Sequence, residues 1–127
     1  MALDIPALPS ANQVLRYAKA SYDFARDGGD LGLHSIPGQQ VPPGALLFGP
    51  SWVVTTPFTG GDSLNLQIKV GAVDVAGGIE PVGNLTGSRL DGPVGPSPAD
   101  GSYPISLEIR DTAVLSGALT IYVWYVL

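Results

Sequence analysis

The only side chain suited to general acid–base work at neutral pH is a single histidine, His34. A Ser-His-Asp triad needs such a base oriented by a carboxylate and placed against a nucleophile. Asp30 lies four residues upstream, but no Gly-x-Ser-x-Gly elbow occurs in the chain. His34 therefore reads as a strand-end histidine rather than a catalytic base. Zinc would need further nitrogen or sulfur ligands, and the chain has no cysteine. Asp27, Asp30, Asp62, Asp91 and Asp100 could hold Ca²⁺ with backbone carbonyls, but no EF-hand spacing links them. Each sits in or beside a glycine- or proline-rich stretch, where aspartate is ordinary turn chemistry. Catalytic residues, cofactors and metals are thus all expected to be none. Trp52, Phe58, Tyr103, Tyr122, Trp124 and Tyr125 could line a sugar-binding surface, but the same residue types dominate β cores and subunit interfaces.

Charge narrows the partners. Six basic residues face eleven acidic ones, a net charge of -5. Nucleic-acid binding rests on clustered Lys and Arg. Here Arg16, Lys19, Arg26, Lys69, Arg89 and Arg110 are scattered, so no nucleic-acid partner is expected. Residues 1–10 hold Asp4 and two prolines and no basic stretch before an apolar run, so no signal peptide is expected. No apolar run reaches the roughly 18 residues of a membrane span, and no small-molecule substrate is implied. Asn84-Leu85-Thr86 matches a glycosylation sequon and reads as chance.

The elements that would position these residues are short and β-like. The chain carries 17 glycines and 12 prolines, and only 13% of its residues are charged. Residues 1–12 read as an arm, with Leu3, Ile5 and Leu8 spaced by Pro6 and Pro9. The remainder, 13–127, reads as one domain. Ser10 to Gln13 fits a helix-capping box, and Val14, Tyr17, Ala18 and Ser21 share one helical face. A short helix or irregular entry is therefore expected there, then a strand over 20–24. Asp27-Gly28-Gly29-Asp30 suggests a hairpin joining strands over 19–25 and 31–36. Pro37-Gly38 and Pro42-Pro43-Gly44 bracket a loop. A long β stretch over 45–56 contains Pro50, which marks an edge or a bend.

Two later segments alternate cleanly. In one, Leu64, Leu66, Ile68 and Val70 face one way and Asn65, Gln67 and Lys69 the other. In the other, Ile105, Leu107 and Ile109 alternate with Ser106, Glu108 and Arg110. Short strands are expected at 79–82 and 85–89, a proline-rich loop at 91–101, and a turn at Ser116-Gly117. The last strand, 118–127, is apolar on both faces. Leu119, Ile121, Val123, Tyr125 and Leu127 form one face, and Tyr122, Trp124 and Val126 the other. Such a strand is covered on both sides or meets a second subunit. Ile121, Tyr122, Val123, Trp124, Tyr125 and Val126 are therefore the expected core or subunit interface. Seven or eight short strands with Gly/Pro turns indicate an all-β antiparallel sandwich, jelly-roll-like, with an extended N-terminal arm.

A family resemblance follows from the residues in order. The stretch from Ala20 to Gly29 leads to Ile36 and then to Val41-Pro42-Pro43-Gly44-Ala45. Thr55-Thr56-Pro57-Phe58-Thr59 follows, then the alternation over 64–70, and the chain closes on AVLSGALTIYVWYV over 113–126. Across roughly residues 20–126 this order resembles small structural proteins of tailed bacteriophages that decorate or cement the capsid. The resemblance implies a jelly-roll-like sandwich and trimers at capsid symmetry axes. It also implies an arm that reaches across neighbouring capsid subunits, and no catalytic residues. The partners it implies are the major capsid protein and further copies of the chain, in a virion assembled from protein made in the host cytoplasm. Leu3, Ile5, Pro6, Leu8 and Pro9 become the expected capsid-binding arm. The alternative is a receptor- or glycan-binding module of a head or tail fibre.

Overall fold

A computed structural model describes residues 15–61, 63–81, 86–88 and 94–127. The arm residues Leu3, Ile5, Pro6, Leu8 and Pro9, the capping box, Asp62, Asn84 and Asp91 lie outside the described residues.

The described chain is almost entirely antiparallel β structure. Its strands are β1 (Arg16–Asp23), β2 (Gly32–Val41), β3 (Leu46–Gly60), β4 (Asn65–Val70), β5 (Val73–Ile79), β6 (Thr86–Ser88), β7 (Gly95–Pro96), β8 (Tyr103–Arg110) and β9 (Val114–Val126). A single helical turn, α1 (Phe24–Asp27), follows β1. One sheet places β9 between β1 and β3, with β6 and β7 on the far side of β3. The other runs β2-β8-β4-β5. The two join at one point, where Ala20 of β1 pairs with Gly38 of β2, so the whole is one curled sheet folded over a core. The architecture is the all-β antiparallel, jelly-roll-like sandwich that the strand pattern indicates.

Alternation decides which face is buried. Leu64, Leu66, Ile68 and Val70 of the β4 segment pack against Ile105, Leu107 and Ile109 of β8 and Leu119, Ile121 and Val123 of β9 in the core. A polar residue on the other face of β4 departs from expectation: Gln67 is buried rather than wet. Its side chain lies against Gly77 of the neighbouring β5, at the register shift between Leu66 and Ile68. β5 occupies a stretch where no strand was expected. Val70-Gly71-Ala72-Val73 makes a tight hairpin, and the strand ends at Ile79 where one was expected to start.

Several local expectations are corrected. The expected strand over 20–24 is present to Asp23 but starts earlier: residues 16–19 are strand too, not helix, because β1 pairs with β9 from Arg16↔Tyr125 to Asp23↔Ala118 and buries Ala18, Ala20 and Tyr22. A ladder of that length and a buried face outweigh a helical pattern of modest propensity. The glycine-rich turn at 27–30 does not close a β-hairpin. Instead α1 carries the chain from one sheet to the other, and β2 pairs with β8. Pro37-Gly38 is not a loop but the interior of β2, at a register shift between Ser35 and Gln40. Ser116-Gly117 is not a turn either. Both lie inside β9, where Gly117 makes room for the Phe58 ring, and the chain turns earlier, at Asp111, with φ 72°. Pro50 lies inside β3, opposite Val123, directly after a register shift between Leu47 and Gly49.

The 91–101 stretch is anchored rather than loose where it is described. Buried Ser97 donates through Oγ to the Pro42 carbonyl (2.7 Å) and accepts from the Ala45 amide (2.8 Å). Its own amide donates to the Ala45 carbonyl at 2.7 Å. These bonds fasten the proline-rich segment to the start of β3 and satisfy backbone groups that burial would otherwise leave unpaired.

The β1–α1 corner has its own hydrogen-bond chemistry. Asp23 caps α1 by accepting from the Ala25 amide, and Asp27 accepts from the Asp23 amide, both at 2.9 Å. Arg26 pairs with Asp27 at 2.8 Å, and this bond holds the Asp27 carboxyl below the usual carboxylate range. Beneath it, the buried Tyr22 donates its hydroxyl to the Gly28 carbonyl at 2.5 Å. Burial, and then the charges of Asp27 and Asp23, push the Tyr22 phenol up from 10.0 to about 12. The folded protein thus keeps a proton that the unfolded chain releases near pH 10. Stability is expected to be unaffected by this group below that pH and to fall as pH rises from 10 to about 12. Urea midpoints measured across that window should drop for the wild type. The drop should be shallower for Tyr22→Phe, which has no phenol to ionise and starts from lower stability for want of the Gly28 bond.

Candidate interaction surface

The strand β9 divides its apolar residues between two environments. Ile121 and Val123 are fully buried in the core, as is Leu119. Tyr122, Trp124 and Val126 project from the outer face of the sheet and are only half covered. Tyr125 is partly buried against the core. The strand is central in its sheet, and its outer face is less fully covered than its inner one.

Register brings a set of aromatic residues together on that outer face. Tyr17 of β1 stands opposite Trp124, and Lys19 opposite Tyr122. The Tyr17 ring meets Trp124 with centroids 5.0 Å apart and Tyr122 edge-on at 5.4 Å. Both geometries suit the aromatic quadrupole. Trp124 donates through Nε1 to Ser51 Oγ of β3 at 3.1 Å, which fixes the indole. The Lys19 ammonium lies 5.9 Å from the Tyr122 centroid, a cation–π contact. Around this cluster the sheet exposes further apolar surface. Leu46 pairs with Val126, and Val53 with Thr120, so both point outward, and Tyr17 remains 48% exposed and Val53 42%. A contiguous apolar and aromatic patch rimmed by polar groups is the usual mark of an interaction site.

Beside the aromatic cluster lies a cleft of about 390 Å³, bounded by Tyr17, Lys19 and Ser21 of β1 and Pro37 and Gln39 of β2. It opens where β2 swings away from β8 and touches β1 only at Gly38.

The remaining sequence candidates do not converge. His34 Nε2 lies 2.8 Å from the Asp30 carbonyl on an exposed stretch of β2. Trp52 and Phe58 are buried in the core, and Tyr103 donates to Asp100 at 2.9 Å. Among the described residues, no three His, Cys, Asp or Glu side chains gather at one point, and no helix is long and apolar enough to cross a membrane. Sequence reading singled out Tyr122 and Trp124 but missed Tyr17, the residue that joins them. Placing 17–21 on a helical face hid the alternation of Tyr17, Lys19 and Ser21 on one side of a strand.

Comparison with known proteins supports the fold. No protein-family model matches the sequence, and no curated protein does. The structure is similar to a chain of the cyanophage Pam1 capsid asymmetric unit, with TM-score 0.61 and 14% identity over 97% of this chain and 99% of that one. It is also similar to a chain of the acid-stable capsid of Helicobacter pylori bacteriophage KHP30, with TM-score 0.51 and 15% identity over 92% and 90%.

Proposed function

We propose that the protein is a non-enzymatic structural component of a bacteriophage virion that decorates and stabilises the capsid. It binds the major capsid protein across capsomer joints as an oligomer, a homotrimer in our reading. The observation that carries this is the end-to-end correspondence of its fold with chains from two phage capsid structures. The outward apolar residues of β9 and β3 support it as a surface for a second copy, beside the Tyr17 cleft rather than over it. In this reading residues 1–12 form the capsid-binding arm, with Leu3, Ile5, Pro6, Leu8 and Pro9 as its contacts. Residues 13–127 form the sandwich domain. The protein is made in the host cytoplasm and ends on the capsid surface.

A cement role asks for shape and apolar area rather than reactive side chains. Burial yields about 25 cal/mol per Å² of apolar surface. Contacts that are individually weak become durable when one oligomer engages several capsomers at once.

Adding purified protein to shells that lack it tests the reading. Full-length protein is expected to saturate the shells and raise their disruption temperature. Protein lacking residues 1–12 should stay folded and oligomeric but leave the shells bare. Full occupancy by the truncated protein would refute the arm. Failure of the full-length protein to bind any shell would refute the decoration reading. Light scattering tests the interface separately. Trp124→Glu is expected to convert the oligomer to a folded monomer, and a wild type that is monomeric at high concentration would remove the interface.

A further inference from the structure

The cleft beside Tyr17 has an unusual polar inventory for so acidic a chain. Arg26, Lys69 and Arg110 each hold a carboxylate in an ion pair. Lys19 holds none among the described residues. Its only close charged-group contact there is with the face of Tyr122, which leaves its ammonium open to an anion from outside. Gln39 uses its side-chain oxygen to accept from the Lys19 amide at 2.9 Å, and its NH₂ group remains available to donate. The Tyr17 ring is held from its other sides by Tyr122 and Trp124, so it offers a fixed aromatic wall.

Two ligand classes could use a cleft on the edge of a strand. An extended peptide would need a run of backbone groups to pair with. That run is already capped by side chains. Gln39 takes the Lys19 amide, and Arg26 donates to the Ser21 carbonyl. Capping an exposed edge in this way blocks strand addition. What remains is an aromatic wall, an ammonium, a carboxamide NH₂ and the Ser21 hydroxyl, which meets Thr120 Oγ1 at 3.3 Å and keeps further hydrogen-bonding capacity. These are groups for a ring with an apolar C–H face, scattered hydroxyls and a negative charge.

We propose that this cleft is a binding site for a carboxylated saccharide. The sugar ring stacks on Tyr17, its carboxylate pairs with Lys19, and its hydroxyls bond with Gln39 and Ser21. A volume of about 390 Å³ falls in the range of small-ligand sites, roughly 300–1,000 Å³, and holds one or two sugar rings. A wall already immobilised by its neighbours loses little entropy on binding. The inference does not rest on the virion reading.

The test is saturation-transfer NMR and titration of the full-length protein with four probes. These are digalacturonate, N-acetylneuraminic acid, neutral maltose and a tetraglutamate peptide. At least one of the two acidic sugars is expected to receive saturation and to shift the Lys19 and Gln39 resonances, and maltose to bind far more weakly. Lys19→Gln should weaken the acidic sugar by about tenfold or more, the effect of removing one partner of a charge pair. Lys69→Gln should leave it unchanged. Tyr17→Phe should retain binding, and Tyr17→Ala should lose it with the sheet signature intact. Absence of binding by both acidic sugars would overturn the proposal. So would equal binding to the wild type and Lys19→Gln, or tetraglutamate binding the cleft as tightly as the sugars.

Discussion

Replacing Gly38 with alanine is expected to lower stability by about 3 kcal/mol or more, enough to unfold a protein of ordinary stability under mild denaturant. At this position the two sheets touch. A Cβ on Gly38 would stand 2.5 Å from the Lys19 carbonyl oxygen and 2.6 Å from the Ala20 Cα. Both are backbone atoms in a strand that β9 already holds, so neither can yield cheaply. The φ of 150° adds strain for any residue with a side chain. Relief would require β2 to move off β1, which would open the seam and expose Ala18, Ala20 and Ile36. Gly44→Ala is the matching control. It has φ 69° but open space around the new Cβ, so it should cost only about 1 kcal/mol. Urea denaturation of the two variants measures the difference. A Gly38→Ala protein with a wild-type midpoint would mean that the seam is not close-packed.

The second large effect separates the two faces of β9. Ile121→Ala is expected to cost about 2–5 kcal/mol, because Ile121 is fully buried and its removal leaves a cavity at the centre of the core. Trp124→Ala, three residues on, should cost much less in monomer stability despite the larger side chain. Its indole is half covered and loses one hydrogen bond, to Ser51. Its consequence should appear instead in oligomer size. Thermal unfolding with light scattering on the same samples decides the matter. Equal destabilisation by both substitutions would place Trp124 in the core in solution.

Both experiments turn on features that differ in how far the sequence reveals them. The alternation over 64–70 and 105–110 states which residues enter the core, because a strand half exposed to water repeats every two residues. Gln67 escapes that rule because it sits at the register shift of the β4–β5 ladder with its side chain against Gly77, and β5 is hidden in a run of small residues and glycines. The two apolar faces of β9 are equally visible, but their unequal burial is not. The aromatic cluster needs Tyr17, which neighbours Trp124 only through the β1–β9 register. The cleft needs Gly38, which reads as a loop glycine until β2 is seen to touch β1 there.

By itself, then, the sequence determines the secondary-structure class and the composition of the core. It also determines the scarcity of reactive side chains. Those follow from local periodicity and inventory. Only the tertiary structure decides which strands are neighbours. The pairings β1–β9, β2–β8 and β4–β8 join segments far apart in the chain, and several registers fit the same alternation. Close packing of the whole core selects one of them. That choice places Tyr17 beside Trp124, leaves Lys19 without a carboxylate among the described residues, and opens the cleft between them and Gln39.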